Sequence, residues 1–190
     1  MTADLRHRFS DLRQRITAAA NAAGRNADSV GMIAVSKTRS ADEIRALAQA
    51  GQQHFGENYL QEALSKRDAL RDLPLCWHFI GPLQSNKTAE VAGHFDWVHS
   101  VDRLRIAERL SQQRPADQGP LQVCVQVNLS GEASKSGCTP AELPALCHAV
   151  SRLPGLRLRG LMTLPAPPQP GDDPRRPFAD LRAHFDAMRA

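Results

Sequence analysis

Lys37 closes the apolar run VGMIAVSK (residues 30–37), and a helix start signal, SADE, follows within three residues. An ammonium group at the end of a strand that enters a core is partly desolvated. Desolvation disfavours its charged form and leaves an amine able to attack a carbonyl carbon. The chemistry open to such an amine is reversible condensation with an aldehyde or ketone. Taken alone, Lys37 is better explained as a lysine that snorkels from a strand end into water.

Its company changes the balance. HFGENYLQE brings Gly56, Glu57, Asn58 and Tyr59 together after a second strand. WHFIGPLQSNK places His78 in a third strand, with Gln84, Asn86 and Lys87 beyond it, and VQVNLSGEASKSG places Asn128 at the end of a fifth, with Lys135 in the following loop. Each has an ordinary explanation. Gly56 and Gly81 suit turns, Asn58 and Ser85 suit helix caps, His78 suits a hydrogen-bonded core histidine, and Lys135 suits a solvated loop. Tyr59 reads as a helix N-terminal residue that packs its ring. Several polar strand ends meeting on one rim are harder to explain by capping.

The elements that position these residues alternate along the chain. A first helix carries Leu5, Phe9, Leu12, Ile16 and Ala19 on one face and stops near Gly24. Strands are predicted at 30–37, 53–55, 76–81, 95–100, 121–129 and 156–164, and helices at 40–51, 58–70, 85–93, 102–113, 139–150 and from about Phe178. Ser40 with Glu43 and Thr139 with Glu142 read as capping boxes, with Pro140 at the first helical position of the second and Pro144 uncomfortably deep inside it. Alternating strands and helices imply a parallel α/β fold, either an open doubly wound sheet or a (β/α)8 TIM-type barrel. No G-x-G-x-x-G and no P-loop follows any strand, which favours the barrel. Eight strands are needed and six are read, so the barrel is expected to be incomplete, with strands 7 and 8 missing. The expected organisation is a single domain over 1–190, with an N-terminal helix at 2–24 and the barrel from residue 30.

Composition narrows the function. The chain is 42% hydrophobic and 23% charged, ordinary for a globular protein. Its net charge of +4 is spread as arginine over helix faces, which suits an anionic small molecule. A nucleic-acid module would show a basic stripe with interleaved aromatics. The cysteines Cys76, Cys124, Cys138 and Cys147 have no metal-ligand spacing and read as reduced structural thiols. No run is long enough to cross a bilayer, and the charged N-terminus is unlike a secretory signal, so a cytoplasmic location is expected.

Five stretches, AVSKTRS, FGENYLQEALSK, WHFIGPLQSNK, VNLSGEASKSGC and LRGLMTLPAP, occur in this order and resemble the YggS/PROSC family of pyridoxal phosphate (PLP) homeostasis proteins. The resemblance runs from the first helix to about Pro167. It implies a barrel like the N-terminal domain of alanine racemase, with PLP held as a Schiff base on Lys37; Asn58, His78 and Met162 are the expected pocket residues around that amine. Lys135 becomes a candidate transient carrier. The resemblance also implies that strands seven and eight, with a Ser- and Gly-rich phosphate cradle, lie beyond residue 190, so that this chain is a truncated member.

The role implied is storage and delivery of PLP to apo-enzymes, with effects on vitamin B6 and amino-acid balance, by a monomer or weak homodimer rather than by an enzyme. A racemase needs acid/base groups on both faces of the cofactor, and only one face is supplied here. The competing expectations are a fold-type III PLP enzyme such as an amino-acid racemase, and an aldolase using Lys37 without a cofactor. No metal is expected.

Overall fold

The computed structural model describes residues 2–132 and 135–188, with side chains from residue 4 onward. The chain divides into two compact units, Met1–Trp77 and His78–Ala190, and the division falls inside a strand.

The first unit holds α1 (Thr2–Ala22), β1 (Ala34–Val35), α2 (Ala41–Ala48), β2 (His54–Glu57), α3 (Leu60–Ala69) and the start of β3 (Cys76–Phe79). On α1 the buried stripe is Phe9 and Ala20 with Leu5 and Ile16 half-covered, while Leu12 is exposed and Gly24 takes φ +65° just past the helix end. The covered face is thus narrower than the five predicted positions. The predicted strand at 30–37 shrinks to two paired residues, Ala34 opposite Phe55 and Val35 opposite Gly56, in parallel register. The capping box at α2 is present: Glu43 N donates to Ser40 Oγ, and Ser40 N donates to Glu43 Oε2 at 2.9 Å. On α3 the buried positions are Leu60, Ala63 and Lys66, with Leu70 following, a stripe at helical spacing that includes a lysine.

The second unit runs from His78 through α4 (Thr88–His94), β4 (Trp97–Val101), α5 (Leu104–Gln113), β5 (Leu121–Gln126), α6 (Leu143–Ser151), β6 (Leu156–Met162) and α7 (Arg176–Ala187). Strands β3 to β6 pair in parallel and in chain order, with register shifts between Val98 and Val101 and between Val123 and Cys124. Val98, Val101, Ile106, Leu110, Leu121, Val123, Val125, Leu143 and Val150 are all essentially without solvent contact. Each such side chain stabilises the fold by roughly 1.5–3 kcal/mol. Leu121 and Val123 to Gln126 are buried in succession, as expected of a parallel strand covered on both faces.

One helix start differs from the sequence reading. Thr139 and Glu142 do form the reciprocal bonds of a capping box, but α6 begins at Leu143. Pro144 has no N–H to give to residue 140, so the segment 140–142 remains a turn and Pro144 falls in the first helical turn. Within each unit neighbouring strands pair in chain order, and the direct β3–β4 pair departs from the doubly wound order 3-2-1-4-5-6, in which those two strands are separated. Six strands, each followed by a helix, are the first six repeats of a (β/α)8 barrel; strands seven and eight are not among the described residues.

Candidate functional site

Lys37 lies in a turn immediately after β1, at the carboxyl end of the strand, where barrels place their chemistry. Its side chain is exposed, not sheltered as the sequence reading expects. The reason is local. Strand side chains alternate, so Val35 and Lys37 share a face, and that face of β1 is open, with Val35 52% exposed. Ser36 points the other way and is buried. Its N–H donates to Gly56 O at 2.9 Å, continuing the β1–β2 register, so that Lys37 is the next residue in line with Asn58.

Among the described residues, the Lys37 amine has no hydrogen bond or ion pair. The other three lysines are engaged. Lys66 Nζ donates to Ser36 O, Glu57 Oε1 and Glu62 Oε1 at 2.6, 2.8 and 2.6 Å. Lys87 Nζ lies 3.7 Å from Glu90 Oε1, and Lys135 Nζ lies 3.0 Å from Glu132 Oε1. Lys135 is therefore ion-paired and largely covered, not the solvated loop lysine its sequence suggests.

Asn58 does not cap a helix. The cap position of α3 is Tyr59, with no side-chain cap bond, and the Asn58 amide is half-buried without a hydrogen bond among the described residues. Tyr59 is 58% exposed, so its ring is not packed. Ser85 likewise caps nothing with its side chain; its carbonyl accepts from Thr88 Oγ1 and Arg109 Nε.

Beneath Lys37 lies a buried cluster that reading the sequence missed. Lys66 is 7% exposed and Glu57 is 0% exposed. The three protons of the Lys66 ammonium meet three acceptors, which satisfies it completely. Ser36 Oγ donates to Glu57 Oε1 at 2.6 Å, and Thr38 N–H donates to Glu62 Oε1 at 2.5 Å. The Lys66 ammonium, helped by the Thr38 N–H, holds the Glu62 carboxyl below the usual carboxylate range. The signal that could have revealed the cluster was Lys66 itself, which falls on the Leu60–Ala63–Leu70 stripe and not on the solvent face.

In the second unit His78 is buried and its Nδ1 lies 2.8 Å from His99 Nε2, with both rings stacked against Trp97. The Arg159 guanidinium covers the Trp97 ring at 5.8 Å. This geometry matches the hydrogen-bonded core histidine that the sequence allows. Burial pushes the His99 pKa from 6.5 down to about 4. Between those values the unfolded chain binds a proton that the folded chain does not, so stability is full above pH 6.5 and falls as pH drops toward 4. The loss should approach roughly 3 kcal/mol at the acid end. Urea unfolding measured from pH 7 to 4.5 should show a falling midpoint that His99→Gln flattens, and a wild-type midpoint constant over that range would contradict it.

Met162 ends β6 half-buried, its carbonyl accepting from Val127 N–H at 2.8 Å. Asn128 organises its own loop: its Nδ2 donates to Glu132 O and Lys135 O, and its Oδ1 accepts from Ser130 Oγ and Gly131 N–H. None of the four cysteines forms a disulfide, and burial raises the pKa of Cys124 to about 12 and those of Cys138 and Cys147 to about 11, as expected of three inert structural thiols. No described helix is long and apolar enough to cross a membrane.

The parallel β/α repeats and the lysine at the first strand end define a barrel of the alanine racemase N-terminal domain kind, and the profile of that domain family matches residues 4–190. A Pseudomonas aeruginosa protein described as a pyridoxal phosphate homeostasis protein is 62% identical over 168 residues, spanning 88% of this chain and 73% of the relative. One of the same description from Escherichia coli K12 is 52% identical over 167 residues, 86% of this chain and 71% of the relative. The structure of PipY from Synechococcus elongatus PCC7942 with PLP bound matches with a TM-score of 0.84 at 37% identity, over 97% of this chain and 81% of that one. The chain belongs to the family of pyridoxal phosphate homeostasis proteins.

Proposed function

We propose that this chain holds pyridoxal 5'-phosphate through the Lys37 amine, and buffers or delivers it to apo-enzymes in the cytoplasm without turning over a substrate. The observation that carries this reading is the contrast among four lysines: Lys66, Lys87 and Lys135 are each tied to a carboxylate, and Lys37 has no partner among the described residues. When bound, the cofactor offers an aldehyde carbon that a primary amine attacks reversibly with loss of water. Lys37 fits that chemistry because no ion pair must break before its nitrogen can react. Asn58, next in line and with an unused amide, fits a polar contact to the same group.

His78 and Met162 enter the proposal as the pocket residues expected from the sequence, and single substitutions test them. Lys135 enters it as a second amine that receives the cofactor in transit, after release from Glu132. Exposure of Lys37 suits a holder that must give its cargo up. A racemase needs tuned acid/base groups on both faces of the cofactor, and Tyr59, exposed and with no side-chain hydrogen bond among the described residues to orient it, is poorly placed to supply one. Three buried thiols, Cys124, Cys138 and Cys147, and a half-buried Cys76, none of them in a disulfide, are in keeping with a reducing compartment.

The test is direct. The chain incubated with PLP and desalted should retain the visible absorbance of a lysine-bound cofactor and restore activity to a PLP-dependent apo-enzyme. Lys37→Ala should retain none, and Lys135→Ala should retain it but transfer it more slowly. Equal retention by Lys37→Ala, or formation of a D-isomer or keto acid from added L-amino acids, would contradict the reading.

A further inference from the structure

We infer that Glu57, Glu62 and Lys66 act as a clamp that fixes the backbone on both sides of Lys37 and so sets the direction in which its amine leaves the chain. They are positioning residues, and the inference rests on the reading of Lys37 as the amine that takes PLP. Before Lys37, the Ser36 carbonyl accepts from Lys66 Nζ at 2.6 Å and the Ser36 hydroxyl donates to Glu57 Oε1 at 2.6 Å. After it, the Thr38 N–H donates to Glu62 Oε1 at 2.5 Å, and that same oxygen accepts from Lys66 at 2.6 Å. One ammonium and two carboxylates therefore hold the backbone at residues 36 and 38, while the side chain between them has no hydrogen bond or ion pair among the described residues.

A purely stabilising role explains this arrangement poorly. Buried ion clusters can often be exchanged for apolar residues without loss of stability, because desolvation offsets their attraction. Glu57 Oε2 is buried and has no hydrogen-bond partner, so this carboxylate is placed to serve Ser36 and Lys66 at the expense of its own second oxygen. Thr38 supplies an independent observation. It is the only non-glycine with positive φ among the described residues, at 62°, and a β-branched side chain is strained in that region. Such strain persists where the surroundings over-determine it, and it clusters at functional sites. Here Glu62 is what holds the strained residue. The clamp spans helix α3, strand β2 and the turn after β1, so the lysine turn is tied to two regular elements and not left as a free loop.

The experiment compares Glu62→Ala with Glu62→Gln. Glu62 is partly exposed, and the Glu57–Lys66 pair remains in both variants, so both should fold. Glutamine keeps an oxygen for the Thr38 N–H; alanine does not. Amide hydrogen exchange on the cofactor-free chain should show Thr38 exchanging about ten- to a hundred-fold faster in Glu62→Ala, the equivalent of one lost charge-assisted hydrogen bond. The rate of PLP capture, read from the visible band, should fall about ten-fold or more in the same variant as the amine loses its orientation. Glu62→Gln should stay near wild type in both readouts. Wild-type Thr38 exchange and capture in Glu62→Ala would overturn the inference, as would equal slowing in both variants, which would mean that charge and not the backbone bond matters. Should the wild-type chain capture no PLP, the reading of Lys37 fails, and Thr38 exchange still decides whether the clamp operates.

Discussion

Replacing Lys66 with methionine is expected to lower the free energy of unfolding by about 3–5 kcal/mol, the usual cost of removing one partner from a buried ion pair. The reason is what stays behind. Glu57 is fully buried, Oε1 would keep only its bond from Ser36, and Oε2 has no partner to begin with. The Ser36 carbonyl would lose its donor as well. Adding Glu57→Gln should recover most of the loss. The amide removes the stranded charge, keeps an oxygen for the Ser36 hydroxyl and brings an N–H for the vacated carbonyl. Urea unfolding of wild type, Lys66→Met and the double variant checks this. Equal stability of wild type and Lys66→Met would show that the cluster is better solvated than its burial indicates.

Gly137→Ala is expected to destabilise by roughly 3 kcal/mol, combining backbone strain with a steric clash. Gly137 has φ +127°, and a Cβ there would lie 2.6 Å from Asn128 N and 2.8 Å from the Val127 carbonyl carbon. Those are backbone atoms, which cannot swing aside as a side chain could. The contact forms where the loop after β5 returns: Cys138 N–H donates to Gln126 O and Asn128 N–H donates to Cys138 O, both at 2.9 Å. Alanine would push these pairs apart and loosen the loop that carries Lys135. Thermal unfolding should shift downward by about 10 °C. An unchanged midpoint would mean that the loop adjusts without its bridge.

Much of the fold could be read from residue pattern because its signals are local. Alternating Val123 and Val125, the Ser40–Glu43 box and the glycine after α1 each act within a few residues of chain. Pro144 misled the placement of α6 because two start signals compete there, and the missing N–H at 144 outweighs the capping box at 139. Lys37 stood out by its address at a strand end. The cluster beneath it did not, since Glu57 and Lys66 are nine residues apart and are joined only when β2 and α3 fold together. The exposure of Lys37 was also hidden. A run such as MIAVSK reads as buried on both faces, and whether one face stays open depends on what packs beside β1. Family resemblance named the lysine, and it was silent on the Ser36 and Thr38 contacts that hold it.

The most direct measurement of the central claim uses the four lysines as internal controls. The chain is incubated with PLP, treated with borohydride to fix any amine-bound cofactor, digested, and its peptides weighed. A pyridoxyl mass concentrated on Lys37, with at most a minor share on Lys135 and with Lys66 and Lys87 at background, is the predicted result. The same mass spread over Lys87 and Lys135, or confined to one of them with Lys37 unmodified, would contradict it.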